Sequence, residues 1–477
     1  MERLKGIDAS FLYMETPKMP LHVAFATVLD PAEMPGGYSY QSVVNLIAHR
    51  VQSKAPFRRR LVQVPLDLHH PLWVEDPDFD IIHHVRQVAL PRPGGDKELG
   101  AMIGRIYSTP LDRRRALWEA WVIEGLEGGR FCLVLKFHHA LVDGVSGAGL
   151  VMHLFAPTAQ TAPMSLPPPV ERERIPSDAE LITAALRSRA RQPLGFAKAL
   201  GDAVPRFAGV LWRRRKPESI KGPLPFEAPP THFNASISAR RNVAMARVAL
   251  AELKVVKNAF GVTLNDAVLA LAGGVLRRYL QGRGSLPSRS LIAVCPISVR
   301  AESETEDYNN RVSAMFATLG TDVEDPAERI RIIHQATKGA KADFQAIGAD
   351  TLTQWAEFAA PRTFNTAMRF YSSMNLASRH RPVHNLVVSN VPGPRFPIYL
   401  AGARVEAIYP VGPVMEGAGL NLTLMSYRDS VDLAFICDSE LVPDVWAMAE
   451  AVPDAHAELL EAARLEGAAR RNVRPIA

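Results

Sequence analysis

From Phe131 to Phe137 six of seven positions are apolar, and the run stops abruptly at His138-His139. An apolar run of that length with no polar face predicts a strand buried on both sides. The stretch 145–156 then predicts a helix with Leu150, Val151, Leu154 and Phe155 on one face. Upstream, Asp8 is placed to cap a helix leading to a strand over 23–29, and 40–53 has helical periodicity. The same alternation returns later in the chain. A strand over 243–248 and helices over 250–260 and 265–280 precede strands ending at Ser298-Val299-Arg300 and at Ser389-Asn390. Strands over 405–409, 420–426 and 431–437, then a helix over 442–465, complete the pattern.

Two such blocks on either side of a proline-rich stretch predict an α/β protein with two domains. The boundaries read as 1–160, a linker over 161–225, and 226–477. Pro163, Pro167, Pro168, Pro169 and Pro176 open the linker, and Pro223 to Pro230 close it. Between them nine basic residues, from Arg187 to Lys216, stand among apolar ones. That segment reads either as a membrane-surface amphipathic helix or as a solvated helix between domains.

Composition narrows the function classes. The 477 residues are 47% hydrophobic, enough for two or three globular domains. A net charge of +6 is mild, and no basic block is interleaved with aromatics as single-strand binding requires, so no nucleic-acid partner is expected. Cys132, Cys295 and Cys437 lie far apart, which points to a reducing compartment without a disulfide framework or zinc site. The opening residues lack the apolar core of a signal peptide, and no run of about 18 apolar residues predicts a spanning helix.

The candidate chemistry is concentrated where the apolar run ends. His139 offers a proton acceptor whose ordinary pKa is near neutrality, and Asp143 and Gly144 follow one short turn later. Successive strand side chains point to opposite faces, so His138 and His139 are not expected to serve one centre or share a metal. Asp143 is placed to orient an imidazole or pair with a basic residue, and Gly144 suits a close backbone approach. His22 reads as structural. No Ser or Cys nucleophile with an adjacent base is evident, so transfer through a covalent enzyme intermediate is not expected.

The motif His138-His139-Ala140-Leu141-Val142-Asp143-Gly144 resembles the HHxxxDG signature of the CoA-dependent acyltransferase superfamily. Within it the chain resembles the bacterial wax ester synthase/diacylglycerol acyltransferase family, including the triacylglycerol synthases of actinobacteria. The resemblance extends over the N-terminal pattern around Ile7–Pro17 and Leu21-His22-Val23, and over Leu117-Trp118-Glu119, with Ala116 where the family has proline. It continues through Asn265-Asp266, the strand ending at Arg300, and Ser389-Asn390, while Asn309 stands where the family has glycine.

The resemblance implies two chloramphenicol-acetyltransferase-like domains, each a mixed sheet flanked by helices, with the active site in the cleft between them. It implies His139 as general base, with His138, Asp143 and Gly144 completing the motif. Leu117, Trp118, Asn265, Asp266, Ser389, Asn390 and Arg300 are the candidate substrate-binding residues. Two of these have equally good structural readings, Trp118 as a core anchor and Asp266 as part of a helix cap begun by Thr263. The implied reaction moves a fatty acyl group from acyl-CoA to diacylglycerol, with long-chain alcohols as a second acceptor class. Acyl-CoA is then a substrate, and neither cofactor nor metal is called for. A cytoplasmic protein held peripherally at a membrane or lipid-droplet surface is expected. The alternatives are a carrier-protein-dependent acyltransferase and a non-catalytic lipid-binding relative.

Overall fold

The computed structural model describes residues 2–142, 144–159, 173–189, 201, 205–206, 208–210, 212–216, 221–298, 312–347, 357 and 360–473. A small antiparallel sheet joins β1 (Glu2–Arg3), β4 (Leu72–Glu75) and β3 (Arg59–Val62). Two six-stranded mixed sheets carry the rest. The first runs β12 (Tyr399–Leu400), β13 (Ala403–Val411), β2 (His22–Asp30), β7 (Phe131–His138), β6 (Trp118–Glu124), β5 (Val85–Ala89). The second runs β10 (Val312–Thr318), β9 (Ile292–Ser298), β11 (Leu386–Val391), β14 (Leu420–Tyr427), β15 (Ser430–Asp438), β8 (Arg241–Ala249). The C-terminal half thus lends β12 and β13 to the N-terminal sheet, β13 lying antiparallel on β2.

The apolar side chains separate into cores according to strand pleat. On β7, Phe131, Leu133, Leu135 and Phe137 enter the outer core of the first sheet, with α1 (Gly6–Met14), α2 (Tyr40–Val51) and α4 (Gly144–Met152). Cys132 and Val134 point the other way, into a core that also holds Val243, Met245, Ala434 and Ile436 of the second sheet. Strand alternation therefore places Lys136 and His138 on this inter-sheet side, with His22 opposite His138 across the β2–β7 register. After α5 (Asp178–Arg189), the outer core of the second sheet is built from α6 (Leu250–Phe260), α7 (Leu264–Gly282), α8 (Pro326–Ile347) and α11 (Val452–Val473).

Between the halves lies α3 (Asp96–Ser108), packed directly on β8. A Cβ on Gly100 would stand 2.3 Å from the Val243 carbonyl oxygen, and one on Gly104 2.5 Å from that of Arg241. Only glycine lets the backbones meet this closely. The approach brings Tyr107, in the last turn of α3, to donate its hydroxyl to the His22 carbonyl. Arg241 ties the same junction, donating to Asp438 and to the Lys18 carbonyl.

Three predicted elements differ in detail. The helix expected over 442–465 is two, α10 (Trp446–Glu450) and α11, because Pro453 has no N–H to continue the ladder. The helix expected over 145–156 stops at Met152, and Ala156 instead bridges to Tyr399 of β12. Asp8 does not cap α1; Lys5 occupies that position and Asp8 is buried in the first turn. Among the described residues no single helix is long and apolar enough to cross a membrane. The bent pair α6 and α7 comes nearest, and its apolar face is spent on the C-terminal core.

Candidate active site

The paired histidines are fixed first by backbone. The His138 N–H donates to the Leu117 carbonyl at 3.0 Å, and the His139 N–H to the Leu21 carbonyl at 2.8 Å. The Leu141 N–H closes the turn onto the His138 carbonyl at 2.9 Å. The two side chains then part. His138 is 1% exposed, and its Nδ1 accepts the Ala140 N–H at 3.0 Å. That bond leaves the ring proton to Nε2. His139 is half-buried, beyond the strand end, with its ring stacked on Phe11 of α1 at 4.0 Å between centroids.

Glu15, immediately after α1, faces the other histidine. Its Oε2 lies 3.4 Å from His138 Nε2 and its Oε1 3.7 Å from His22 Nε2. Arg113 reaches the same carboxylate, with Nε at 3.0 Å from Oε2, and also bonds the Leu12 carbonyl at 3.0 Å. Burial works to raise the Glu15 pKa, but the His138 N–H and the charge of Arg113 outweigh it and hold the group far below the carboxylate range. His22 is pushed well down by burial, then by Lys136 and His138, so its ring is neutral at pH 7. Lys136, fully buried, is held by Glu119 at 3.0 Å and by the Ile106 and Thr109 carbonyls. The N-terminal helix and the residue that ends it thus grip both histidines, the half-buried one by Phe11 and the sealed one by Glu15.

The sequence profile of the wax ester synthase/diacylglycerol acyltransferase catalytic domain matches residues 4–268, and that of the family's C-terminal domain matches 308–459. This chain belongs to that family. A Mycobacterium tuberculosis protein provisionally named diacylglycerol O-acyltransferase is 40% identical over 462 residues, 97% of this chain and 90% of the relative. The wax ester synthase/diacylglycerol acyltransferase of Marinobacter aquaeolei superposes with a TM-score of 0.67 at 29% identity, covering 97% of this chain and 100% of that one. A trichothecene 15-O-acetyltransferase from Fusarium sporotrichioides shares the fold, with TM-score 0.58, 12% identity, and coverage of 97% and 94%. Two mixed sheets with flanking helices are the architecture the family resemblance implies.

The other residues singled out in the sequence fall into distinct places. Leu117 meets the motif through its carbonyl, while its side chain is sealed in the outer core. Trp118 is 1% exposed, stacks on His84 at 4.6 Å, and donates its indole N–H to the Phe57 carbonyl at 2.7 Å. Its position is that of a core anchor. Asp266 is buried and fully engaged, by Thr263 N–H and hydroxyl, His334 Nδ1 at 2.8 Å and the Thr337 hydroxyl at 2.7 Å. These bonds join α7 to α8 within the C-terminal domain; Asn265 beside it is half-buried. Ser389 and Asn390 lie on β11, the first half-buried and the second exposed, at the strand end that packs on α4 beside the motif. Gly144 begins α4, and Asp143 and Arg300 lie outside the described residues. Among the described residues no three His, Cys, Asp or Glu side chains converge to hold a metal.

Sequence reasoning assigned no role to Phe11, Glu15, Tyr107 or Arg113. One signal for the first two was available: Phe11 and Glu15 are four apart on a predicted helix, hence on one face.

Proposed function

We propose that this enzyme transfers a fatty acyl group from acyl-CoA to the hydroxyl of diacylglycerol, and of long-chain alcohols as a second acceptor, with His139 as general base. The observation that carries the assignment is the contrast within the pair. His138 is sealed and its Nδ1 is occupied, whereas His139 stands at the strand end, half-buried, on the side of β7 facing α1. The imidazole takes the acceptor's hydroxyl proton as the alcohol oxygen attacks the thioester carbonyl. The C–S bond then breaks, and the imidazolium returns the proton to the departing CoA thiolate. A positioned base contributes about 10²–10⁴-fold in such a step. In this reading residues 1–160 supply the base, and the 226–477 domain supplies the β11 edge with Ser389 and Asn390 near the reacting carbonyl. The enzyme works from the cytoplasmic side at a lipid surface, since diacylglycerol does not leave one.

The test is purified protein with labelled palmitoyl-CoA, offered diacylglycerol and hexadecanol in separate dispersed assays, with His139→Ala as control. Product with diacylglycerol alone identifies a triacylglycerol synthase, and product with hexadecanol alone a wax ester synthase. No product from folded protein with either acceptor would reject the reading.

A further inference from the structure

Beside the active site, α9 (Pro361–Ser373) turns an unusual face outward. Thr363, Ala367, Phe370 and Met374 recur at helical spacing and are all exposed, Phe370 by 59% and Met374 by 42%. The inward side is anchored separately: Phe364 packs edge-on against Tyr13 of α1 at 6.5 Å, and Ser372 is buried against Glu416. The apolar stripe is extended by a neighbouring loop. Phe226, 54% exposed, meets the His380 ring at 6.1 Å, and His380 Nε2 lies 2.6 Å from the Tyr371 hydroxyl.

The charge carried by this segment has one sign. Residues 361–405 contain six arginines and no Asp or Glu. Four of them, Arg362, Arg369, Arg379 and Arg381, are exposed on α9 and the turn after it. Among the described residues, acids beside the patch include Glu416, half-buried, and Glu227, whose carboxylate caps the Leu224 N–H. Exposed Phe and Met rimmed by arginine is the composition of a helix that lies in a bilayer interface. A second copy applied through a two-fold axis would set two acid-poor arginine rims against each other.

We propose that the outward face of α9, with Phe226, docks on an anionic lipid surface. This rests on the reading that the substrates are lipids, and it adds where the lipid is met. Because α9 lies on α1, and α1 carries Phe11 against His139, an acceptor drawn from that surface enters one helix away from the base.

The experiment is co-sedimentation of the full chain with vesicles of phosphatidylcholine alone or mixed with phosphatidylglycerol. The unmodified protein should partition onto the anionic vesicles and less onto the neutral ones. Phe370→Ser with Met374→Ser, and separately Arg369→Ala with Arg381→Ala, should each lower anionic-vesicle partition by about tenfold or more. Transfer between a soluble short-chain acyl-CoA and a short alcohol should be unchanged in both variants, which shows that they fold. Unchanged partition in either variant, or wild-type protein that ignores anionic vesicles, would overturn the proposal. So would a dimer in solution that Phe370→Ser dissolves. Vesicle binding needs no turnover, so a protein that binds through this face but transfers nothing would refute the acyltransferase reading alone.

Discussion

The ring of His139 lies nearly parallel to that of Phe11, with 10° between the planes. The contact covers one face of the proposed base. An aromatic pair of this kind contributes about 0.5–1.5 kcal/mol beyond the area it buries. Phe11→Leu should therefore lower kcat by up to about tenfold through a looser imidazole, with KM for acyl-CoA little changed. His139→Ala should lower kcat by about 10²–10⁴-fold with the fold intact. Steady-state kinetics beside a thermal melt checks both. A Phe11→Leu enzyme with normal kcat would mean that the stack does not position the ring.

Glu15 makes a different prediction, in pH. Its folded-state pKa is far below its ordinary value of 4.5, so the carboxylate contributes stability that is fully present above about 4.5 and fades as pH falls below it. The neutral His22 beside it is depressed from 6.5, so its contribution also begins to fade on acidification, from that higher pH. Glu15→Gln should be less stable than wild type at pH 7, and the gap should close as both are taken to pH 4 and below. Urea midpoints across that range measure it. A gap that stays constant with pH would show that the Glu15 charge is not what the cluster uses.

Trp118 separates a packing role from a substrate-lining one. Removing a buried Trp side chain costs about 3–5 kcal/mol, so Trp118→Ala should unfold at much lower denaturant. Trp118→Phe keeps a ring against His84 but leaves the buried Phe57 carbonyl without its donor, a loss of about 1–3 kcal/mol. Normal stability with a raised KM for the acceptor would instead return Trp118 to the cavity wall.

Much of this was legible in the chain because local rules apply locally. The run 131–137 announced a strand buried on both faces, and the two cores drawn from its odd and even positions are that prediction in three dimensions. Thr263 announced itself as a helix cap with Asp266 in the first turn, and the structure adds the bond from the Thr263 N–H back to Asp266 that completes a capping box. What could not be read was convergence. Glu15, His22, Arg113 and His138 meet because β2 pairs with β7 and the 110–117 loop folds back on α1, and no spacing along the chain encodes that. The transfer of β12 and β13 to the far sheet was equally hidden, since an alternating strand carries the side it buries but not its partner.

Asp266 is the sharpest case of a family-motif residue whose position is structural. One of its oxygens receives the Thr263 N–H and hydroxyl and faces His334 Nδ1; the other takes the Thr337 hydroxyl. Burial would raise its pKa, but these donors prevail and keep the carboxylate ionised below the usual range. Losing the cap and the bonds to a buried charge should cost Asp266→Ala about 2–4 kcal/mol. Asp266→Asn keeps an acceptor oxygen for some of these donors and should lose less. The ordering is the test, because a substrate-binding carboxylate would give two variants of similar stability whose KM values rise together. If instead stability falls in the order wild type, Asn, Ala, and kcat/KM at low temperature follows the folded fraction, Asp266 joins α7 to α8 and reaches the chemistry only through the scaffold.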